Sequence, residues 1–572
     1  MIIRAFAAAR SIDAKYVPQV APAYQAKRTS GGIHLPLIAQ RMPGQTGAIG
    51  LGDFHDVTYN VLIQIGNTQL PVVLDTGSSD LWVLSTSCQG ACSKGNVPLY
   101  PSATFNYANI DVTLSYGDST TGTHAAGPIG SDVVSLAGLA GEGQYFAAIN
   151  NTNTAVVETG SSGIFGLGFP VNSLLWNEMD ISQTQSTLIK VRDIPGNPEA
   201  NYRFSNRRNN WVMRWFRRNQ LSVSSAFETL TTSPKRRQIA NSEALLSSFA
   251  TIGPFIPRLV ARGELAAPLF SVTLQRDSIE VGGNQGMLYI GELPPTVSNM
   301  SLTWVPVRRY SATQGGIKPP SDVPDENYPI AWEIPVDDVY FDGVKLPRSQ
   351  LSASNISLSA LIDTGNSLIR GPPDIVAYIH AALGGSRFAC STPRTLAFQI
   401  GGMLFPVDPR DLIRQADSGD VEACSANLAA TDVPTGDGTG YLYSWNLGSP
   451  FLKGVLTAFY YGSLSRPSQD PPRIGFLSTV PPNAGQLLSD DVQLAKAEHL
   501  NLPDIEEPSP ASLPPLYATG VGGVPLASPI PAENDNTSVI KNGASTSVSV
   551  NPRVLWTVSI GVVALTLWKT VG

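Results

Sequence analysis

The sequence predicts a mostly β chain folded as two similar lobes that face each other across a cleft. With 52 glycines and 45 prolines in 572 residues, turns are frequent and regular runs are short, the texture of strands rather than long helices. A charged fraction of 15% against 42% hydrophobic residues leaves enough apolar side chains to fill two or three cores. The third observation is a phrase that occurs twice, Val72-Val73-Leu74-Asp75-Thr76-Gly77 and Ala360-Leu361-Ile362-Asp363-Thr364-Gly365. In each copy an apolar, strand-forming run carries an aspartate to the edge of a core, and the glycine lets the chain turn there. A carboxylate delivered twice in the same local frame, a domain-sized interval apart, implies one acid from each lobe.

The elements follow in order. Residues 1–50 read as a leader or propeptide remnant. Met1 to Arg10 has no apolar stretch long enough for a signal peptide, so either the true start lies upstream or export takes another route. From Tyr59 the pattern is strand, turn at Asn67-Thr68, and strand again to Asp75. A first β lobe is expected over 51–310, interrupted by a segment at about 171–240. There Arg203, Arg207, Arg208, Arg214, Arg217, Arg218, Lys235, Arg236 and Arg237 surround Trp211, Trp215 and Phe216. That segment reads as an inserted surface loop or unspliced sequence; a nucleic-acid or membrane-surface patch is the sharper alternative, and Lys235-Arg236-Arg237 has the form of a processing site. A second β lobe is expected over 325–480. Residues 481–553 read as a Pro/Ser-rich stalk with no periodic apolar face.

The tail 554–572 is a nearly unbroken apolar run from Val554 to Trp568. It is preceded by a polar spacer and the small residues Asn542, Gly543 and Ala544. This matches a GPI-attachment signal with Asn542 or Gly543 as attachment residue; a plain membrane tail is the alternative, though the run falls short of the roughly 20 residues that span a bilayer. Four sequons, at Asn150, Asn299, Asn355 and Asn536, fit a secreted glycoprotein.

Composition also excludes functions. A net charge of −7 and a pI near 5.4 argue against nucleic acid as a partner. Five scattered histidines without an HExxH pattern give no zinc site, and Gly436–Gly440 reads as a loop rather than a phosphate cradle, so no metal or cofactor is expected. Of four cysteines, Cys88 and Cys92 flank a small loop, and Cys390 with Cys424 form a second group. The even count suits two disulfides in an oxidising compartment, with three connectivities open on spacing alone and a CxxxC metal half-site the lesser reading.

The chemistry follows from the pair of aspartates. Two carboxyls held together in a core cannot both ionise, so one proton is shared between them. The ionised member takes a proton from water as that water attacks an amide carbon, and the neutral member hydrogen-bonds the carbonyl oxygen. Thr76 and Thr364 offer hydroxyls that lock the two loops by reciprocal hydrogen bonds, Gly77 and Gly365 leave backbone N–H groups near the carboxylates, and Ser78 donates to Asp75.

With these residues the chain resembles the pepsin-like family of aspartic peptidases, of a fungal, secreted or GPI-anchored type. Asp75-Thr-Gly-Ser-Ser-Asp-Leu-Trp82-Val83 is similar to the family's first active-site phrase, and Leu114-Ser-Tyr116-Gly117-Asp118 to the tip of its flap. Ser162-Gly-Ile-Phe-Gly166-Leu-Gly168, Trp332-Glu-Ile, Leu447-Gly-Ser-Pro-Phe451-Leu and Arg473-Ile-Gly-Phe476 follow in family order, so the resemblance spans about 55–480. It implies a bilobal fold with the cleft between the lobes, Asp75 and Asp363 as catalytic pair, Trp82 bonded to the Tyr116 hydroxyl, and disulfides Cys88–Cys92 and Cys390–Cys424. It further implies a monomeric endopeptidase for polypeptide substrates, active in acid. The alternative is a non-catalytic relative that binds peptides at a cell surface. Asn366 departs from the family, which carries Ser or Thr there, so the second carboxylate is expected to take its hydrogen bond from the Asn366 amide. Ser162 and Ser449 stand where aspartates are common, and 1–50 is short for a full inhibitory propeptide.

Overall fold

The computed structural model describes residues 27–28, 31–36, 38–40, 58–90, 92, 97–117, 122–157, 160–182, 241–274, 286–295, 297–417, 420–434, 441–498 and 502. Gly436–Gly440, Asp118, Asn536, Asn542, Gly543, the basic cluster 203–237 and the tail 554–572 lie outside these. Described strands far outnumber described helices.

The first lobe is built on one sheet. Its central strand, Thr68–Asp75, is buried over its last six residues, as a near-continuous apolar run requires when both faces are covered. It pairs antiparallel with Thr58–Ile65 and parallel with Gly163–Gly166, whose register sets Gly166 beside Asp75. Leu81–Leu84 closes the motif against Gly163–Gly166. The long hairpin Asn106–Tyr116 with Thr123–Leu136 carries Tyr116 at its turn end, where it pairs with Thr123.

The second lobe repeats the local frame. Ser359–Ile362 pairs parallel with Trp445–Leu447, Ile362 beside Leu447, and Ile369–Gly371 runs antiparallel to that same strand. Thus in each lobe the strand that ends at the aspartate is flanked in parallel by a strand drawn from far downstream.

Between the lobes lies a seven-stranded sheet that neither owns. Leu269–Leu274 pairs with Gly286–Ile290 on one side and Val455–Tyr460 on the other, and Val455–Tyr460 continues to Arg473–Ser478 and Thr303–Pro306. Trp332 packs at its centre on Phe169, Phe459 and Tyr461. Its indole N–H and the Tyr461 hydroxyl both donate to the Leu167 carbonyl, at 2.9 and 2.6 Å, and Leu167 N–H in turn donates to the Asp75 carbonyl at 2.7 Å. The second half therefore buttresses the first aspartate from behind.

Three segment expectations change. Within 1–50, Ile33–Pro36 extends the interlobe sheet through Gly286–Ile290 and Ile38–Gln40 pairs with Thr58–Ile65, so part of this segment is sheet framework. The inserted segment begins later than 171: residues 174–182 are helical, with Leu175, Trp176 and Met179 buried and Trp176 packed on Phe249 at 5.2 Å between ring centroids. The stalk does not begin at 481. Ala484–Glu498 is a helix that buries Ala484, Leu488, Val492 and Ala495, a stripe at helical spacing laid against the second lobe. Disulfides join Cys88 to Cys92 and Cys390 to Cys424, with Cα separations of 5.8 and 5.1 Å.

Candidate active site

Asp75 ends its strand and Asp363 directly follows Ser359–Ile362, so the two acids meet at the same place, facing one another. Thr76 N–H donates to Thr364 Oγ1 and Thr364 N–H to Thr76 Oγ1, both at 3.0 Å. Each hydroxyl then donates onward to the other lobe's backbone, Thr76 to the Ile362 carbonyl at 2.8 Å and Thr364 to the Leu74 carbonyl at 2.7 Å. Four buried hydrogen bonds thus bolt the aspartate loops together, and every polar group in the lattice has its partner.

The lattice brings the carboxyls within reach of each other. A Cβ on Gly77 would lie 2.6 Å from the Asp363 carboxyl, and one on Gly365 would lie 2.5 Å from Asp75 Oδ1. Each acid therefore sits over the other lobe's glycine, and only glycine leaves the space. Asp75 Oδ1 accepts from Gly77 N–H at 2.8 Å and Oδ2 from the Ser78 hydroxyl. Asp363 Oδ1 accepts from Gly365 N–H at 2.9 Å.

Its second oxygen departs from expectation. Asn366 does not reach the Asp363 carboxylate: its Nδ2 donates to the Leu368 carbonyl and to Asn446 Oδ1, at 2.8 and 2.9 Å. Asn446 supplies the bond instead, Nδ2 to Asp363 Oδ2 at 2.8 Å. The reason is reach. The Asn366 oxygen is held by Leu368 N–H and Arg370 Nε, which turns the amide away from the acid. Sequence reasoning missed Asn446 although it immediately precedes the quoted Leu447-Gly448-Ser449; only the parallel pairing that sets Leu361 beside Asn446 shows which residue flanks the aspartate.

Burial pushes both carboxyls above the usual carboxylate range, and the charge of Asp363 adds to the rise at Asp75. The donors from Ser78 and Gly77, and from Asn446 and Gly365, pull the other way by stabilising the ionised forms. Each acid lies against the other lobe's aspartate loop, and the charge of Asp363 bears on Asp75, so the two titrate as one system.

Tyr116 overhangs the pair. Trp82 Nε1 donates to its hydroxyl at 2.6 Å, and burial, then the charges of Asp75 and Asp80, push the phenol well above its ordinary range. Gly117 follows with φ near 90°. Asp80 is a third buried acid, absent from the sequence expectations. It accepts from the Ser173 hydroxyl at 2.5 Å and from Leu174 and Leu175 N–H at 2.9 and 3.3 Å, capping the first turn of helical residues 174–182. Burial outweighs these donors and raises it to about 6.

A carboxyl whose folded value lies above its unfolded one favours the fold when protonated. That contribution is whole below about pH 4 and is lost as pH rises through about 6. The melting temperature of the protein is therefore expected to fall between pH 4 and 7, and to fall less steeply in Asp80→Asn, as differential scanning calorimetry across that range will read. Parallel curves for the two proteins would refute the assignment.

The eukaryotic aspartyl protease family model matches residues 58–190 and 241–464. The match breaks at 191–240, around the basic segment, and otherwise spans both lobes. Cathepsin E of Mus musculus is 24% identical over 425 residues, 72% of this chain and 79% of its own length. The aspartic protease of Phaffia rhodozyma is 25% identical over 433 residues, 73% and 75% of the two chains. The major aspartyl peptidase 1 of Cryptococcus neoformans var. grubii is 22% identical over 500 residues, 82% and 80%. One local frame built twice around facing aspartates is the architecture of the pepsin-like class. This chain belongs to the eukaryotic aspartyl protease family.

Proposed function

We propose that the chain is an aspartic-type endopeptidase that hydrolyses polypeptides in acid with a water activated by Asp75 and Asp363. The observation that carries this is the reciprocal Thr76–Thr364 lattice, which holds two buried carboxyls against each other with one donor pair each. An extended peptide lies in the cleft under the Tyr116 hairpin. The pair then acts as one acid and one base: the ionised carboxylate accepts a water proton, and the neutral carboxyl donates to the scissile carbonyl oxygen. The Ser78, Gly77, Gly365 and Asn446 donors are already in place for the charge, so little reorganisation accompanies the reaction. Trp82 keeps the Tyr116 hydroxyl poised. A non-catalytic peptide-binding role fits less well, since it has no use for two unneutralised acids kept in the core.

The enzyme acts as a monomer at the cell surface, held there by its tail. One experiment tests both parts. Intact cells expressing the full chain should digest casein at mildly acid pH, a statine-type inhibitor should stop it, and phosphatidylinositol-specific phospholipase C should release the activity to the medium. Inhibitor-insensitive digestion, or none, refutes the catalytic reading; activity that stays with the cells refutes the lipid anchor.

A further inference from the structure

The two aspartates receive their second donors by different routes. In the first lobe, the residue three positions past the aspartate, Ser78, donates directly. In the second, the residue at that offset is Asn366, and the donor is Asn446, on a neighbouring strand. Behind Asn446 the hydrogen bonds continue. Arg370 Nε donates to Asn366 Oδ1 at 3.3 Å, Asn366 Nδ2 to Asn446 Oδ1 at 2.9 Å, and Asn446 Nδ2 to Asp363 Oδ2 at 2.8 Å. Arg370 and Asn446 are direct cross-strand partners in the pairing of Ile369–Gly371 with Trp445–Leu447.

The direction of this chain is fixed by chemistry. A guanidinium has only donors, and so has the Leu368 N–H that also reaches Asn366 Oδ1 at 3.2 Å. The Asn366 oxygen must therefore face them and its amino group must face Asn446 and the Leu368 carbonyl. That in turn obliges Asn446 to meet Asn366 with its oxygen and Asp363 with its amino group. A flipped Asn446 would set an oxygen against a carboxylate. We infer that Arg370, Asn366 and Asn446 form a one-way amide relay whose cationic end orients and polarises the hydrogen bond received by Asp363, so that all three are positioning residues for the acid pair. The positive end also favours the ionised carboxylate through charge alone. Members of such a chain strengthen one another, and a donor to an ionised group is worth more than one to a neutral group.

The inference rests on Asp75 and Asp363 being the catalytic pair. Its test is the pH dependence of kcat/KM, whose acid limb reports the first ionisation of the pair in the free enzyme. Asn446→Leu, close in volume but without a donor, is expected to move that limb upward by about one pH unit with KM little changed. Arg370→Met is expected to move it in the same direction by less. Asn366→Thr combined with Asn446→Leu places a hydroxyl at the offset Ser78 occupies in the first lobe, and is expected to return the limb toward the wild-type position. A purely structural role predicts lower melting temperatures with the limb in place, and no rescue by the pair.

If the wild type cleaves casein and the limb is the same in Asn446→Leu and Arg370→Met, the relay is overturned. Should Asn446→Leu fail to fold, Arg370→Met decides, by the upward shift of the limb or its absence. Should the wild type prove inactive, the catalytic reading fails separately, and 13C NMR titration of the Asp363 carboxyl in aspartate-labelled protein decides the relay without turnover, by the same upward shift or its absence.

Discussion

Asp75→Asn and Asp363→Asn each lower kcat on casein by about 10⁴-fold, while the thermal midpoint at pH 7 stays level or rises. The first half follows from the shared proton. An amide at either position holds no titratable proton, so the pair loses whichever of its two states that residue supplied: the base that takes the water proton or the acid that steadies the carbonyl oxygen. The second half follows from the direction of the carboxyl shifts. Both acids are raised in the fold, by burial first. Their contribution to stability is therefore full below about pH 4, where both are neutral in either state, and declines as pH rises through the folded values. At pH 7 the native site carries a cost that an uncharged isostere removes. In Asp75→Asn the amide oxygen still accepts from Gly77 N–H and its amino group donates to the Ser78 hydroxyl, so the surrounding bonds survive. In Asp363→Asn the oxygen keeps Gly365 N–H but the amino group meets Asn446 Nδ2, which offsets part of the gain. Calorimetry and a casein assay on the same preparations check both halves together. A variant that loses activity and several degrees at once would mean that the acids are mainly structural, and a variant that retains turnover would refute the shared-proton chemistry.

The same burial that makes these two acids costly is what makes the proposed site legible in the sequence. Two buried acids break the usual rule that charges stay outside, and a sequence that places each after an apolar strand and before a Thr-Gly turn announces the violation twice. Thr76, Thr364, Gly77 and Gly365 lie within two residues of the acids, so local chemistry was enough to foresee their bonds. Where the partner is remote in sequence, local reasoning fails. Asn446 is a neighbour of Asp363 only because Trp445–Leu447 runs parallel to Ser359–Ile362, and no spacing rule reveals it. Asp80 was hidden for the same reason, since its role depends on the turn at Ser173.

The helix Ala484–Glu498 escaped differently. Its apolar stripe is narrow and begins just after Pro481-Pro482, inside a composition rich in Ser, Asp and Gln, so the average polarity concealed the spacing of Leu488, Val492 and Ala495. The interlobe sheet escaped because its strands are ordinary one by one. Only their order, with Leu269–Leu274 beside Val455–Tyr460, shows that the halves are fused through a common layer rather than linked in tandem.

Gly365→Ala and Gly77→Ala are each expected to lower kcat by about 10²-fold in a protein that still folds. The added methyl of Gly365→Ala would lie 2.5 Å from Asp75 Oδ1 and 2.8 Å from its Cγ, and that of Gly77→Ala 2.6 Å from the Asp363 Cγ and both oxygens. Carbon atoms do not approach so closely, so something must yield. Yet the neighbouring threonines hold both loops by four hydrogen bonds at 2.7 to 3.0 Å, and releasing buried backbone groups costs about 1–3 kcal/mol each. A carboxyl rotates more cheaply than that lattice opens. Asp75 would turn away from Asp363 in one variant and Asp363 from Asp75 in the other, separating the pair that must share the proton. Asp75 then gives up its alignment with Ser78 and Asp363 in Gly365→Ala, and Asp363 its alignment with Asn446 and Asp75 in Gly77→Ala. The pH profile distinguishes this from unfolding. With the carboxyls parted, each ionises more independently, so the two limbs of the activity profile draw closer together while the calorimetric transition remains single. An unchanged separation of the limbs in both variants would show that the site accommodates the methyl elsewhere, and that the glycines serve the turn alone.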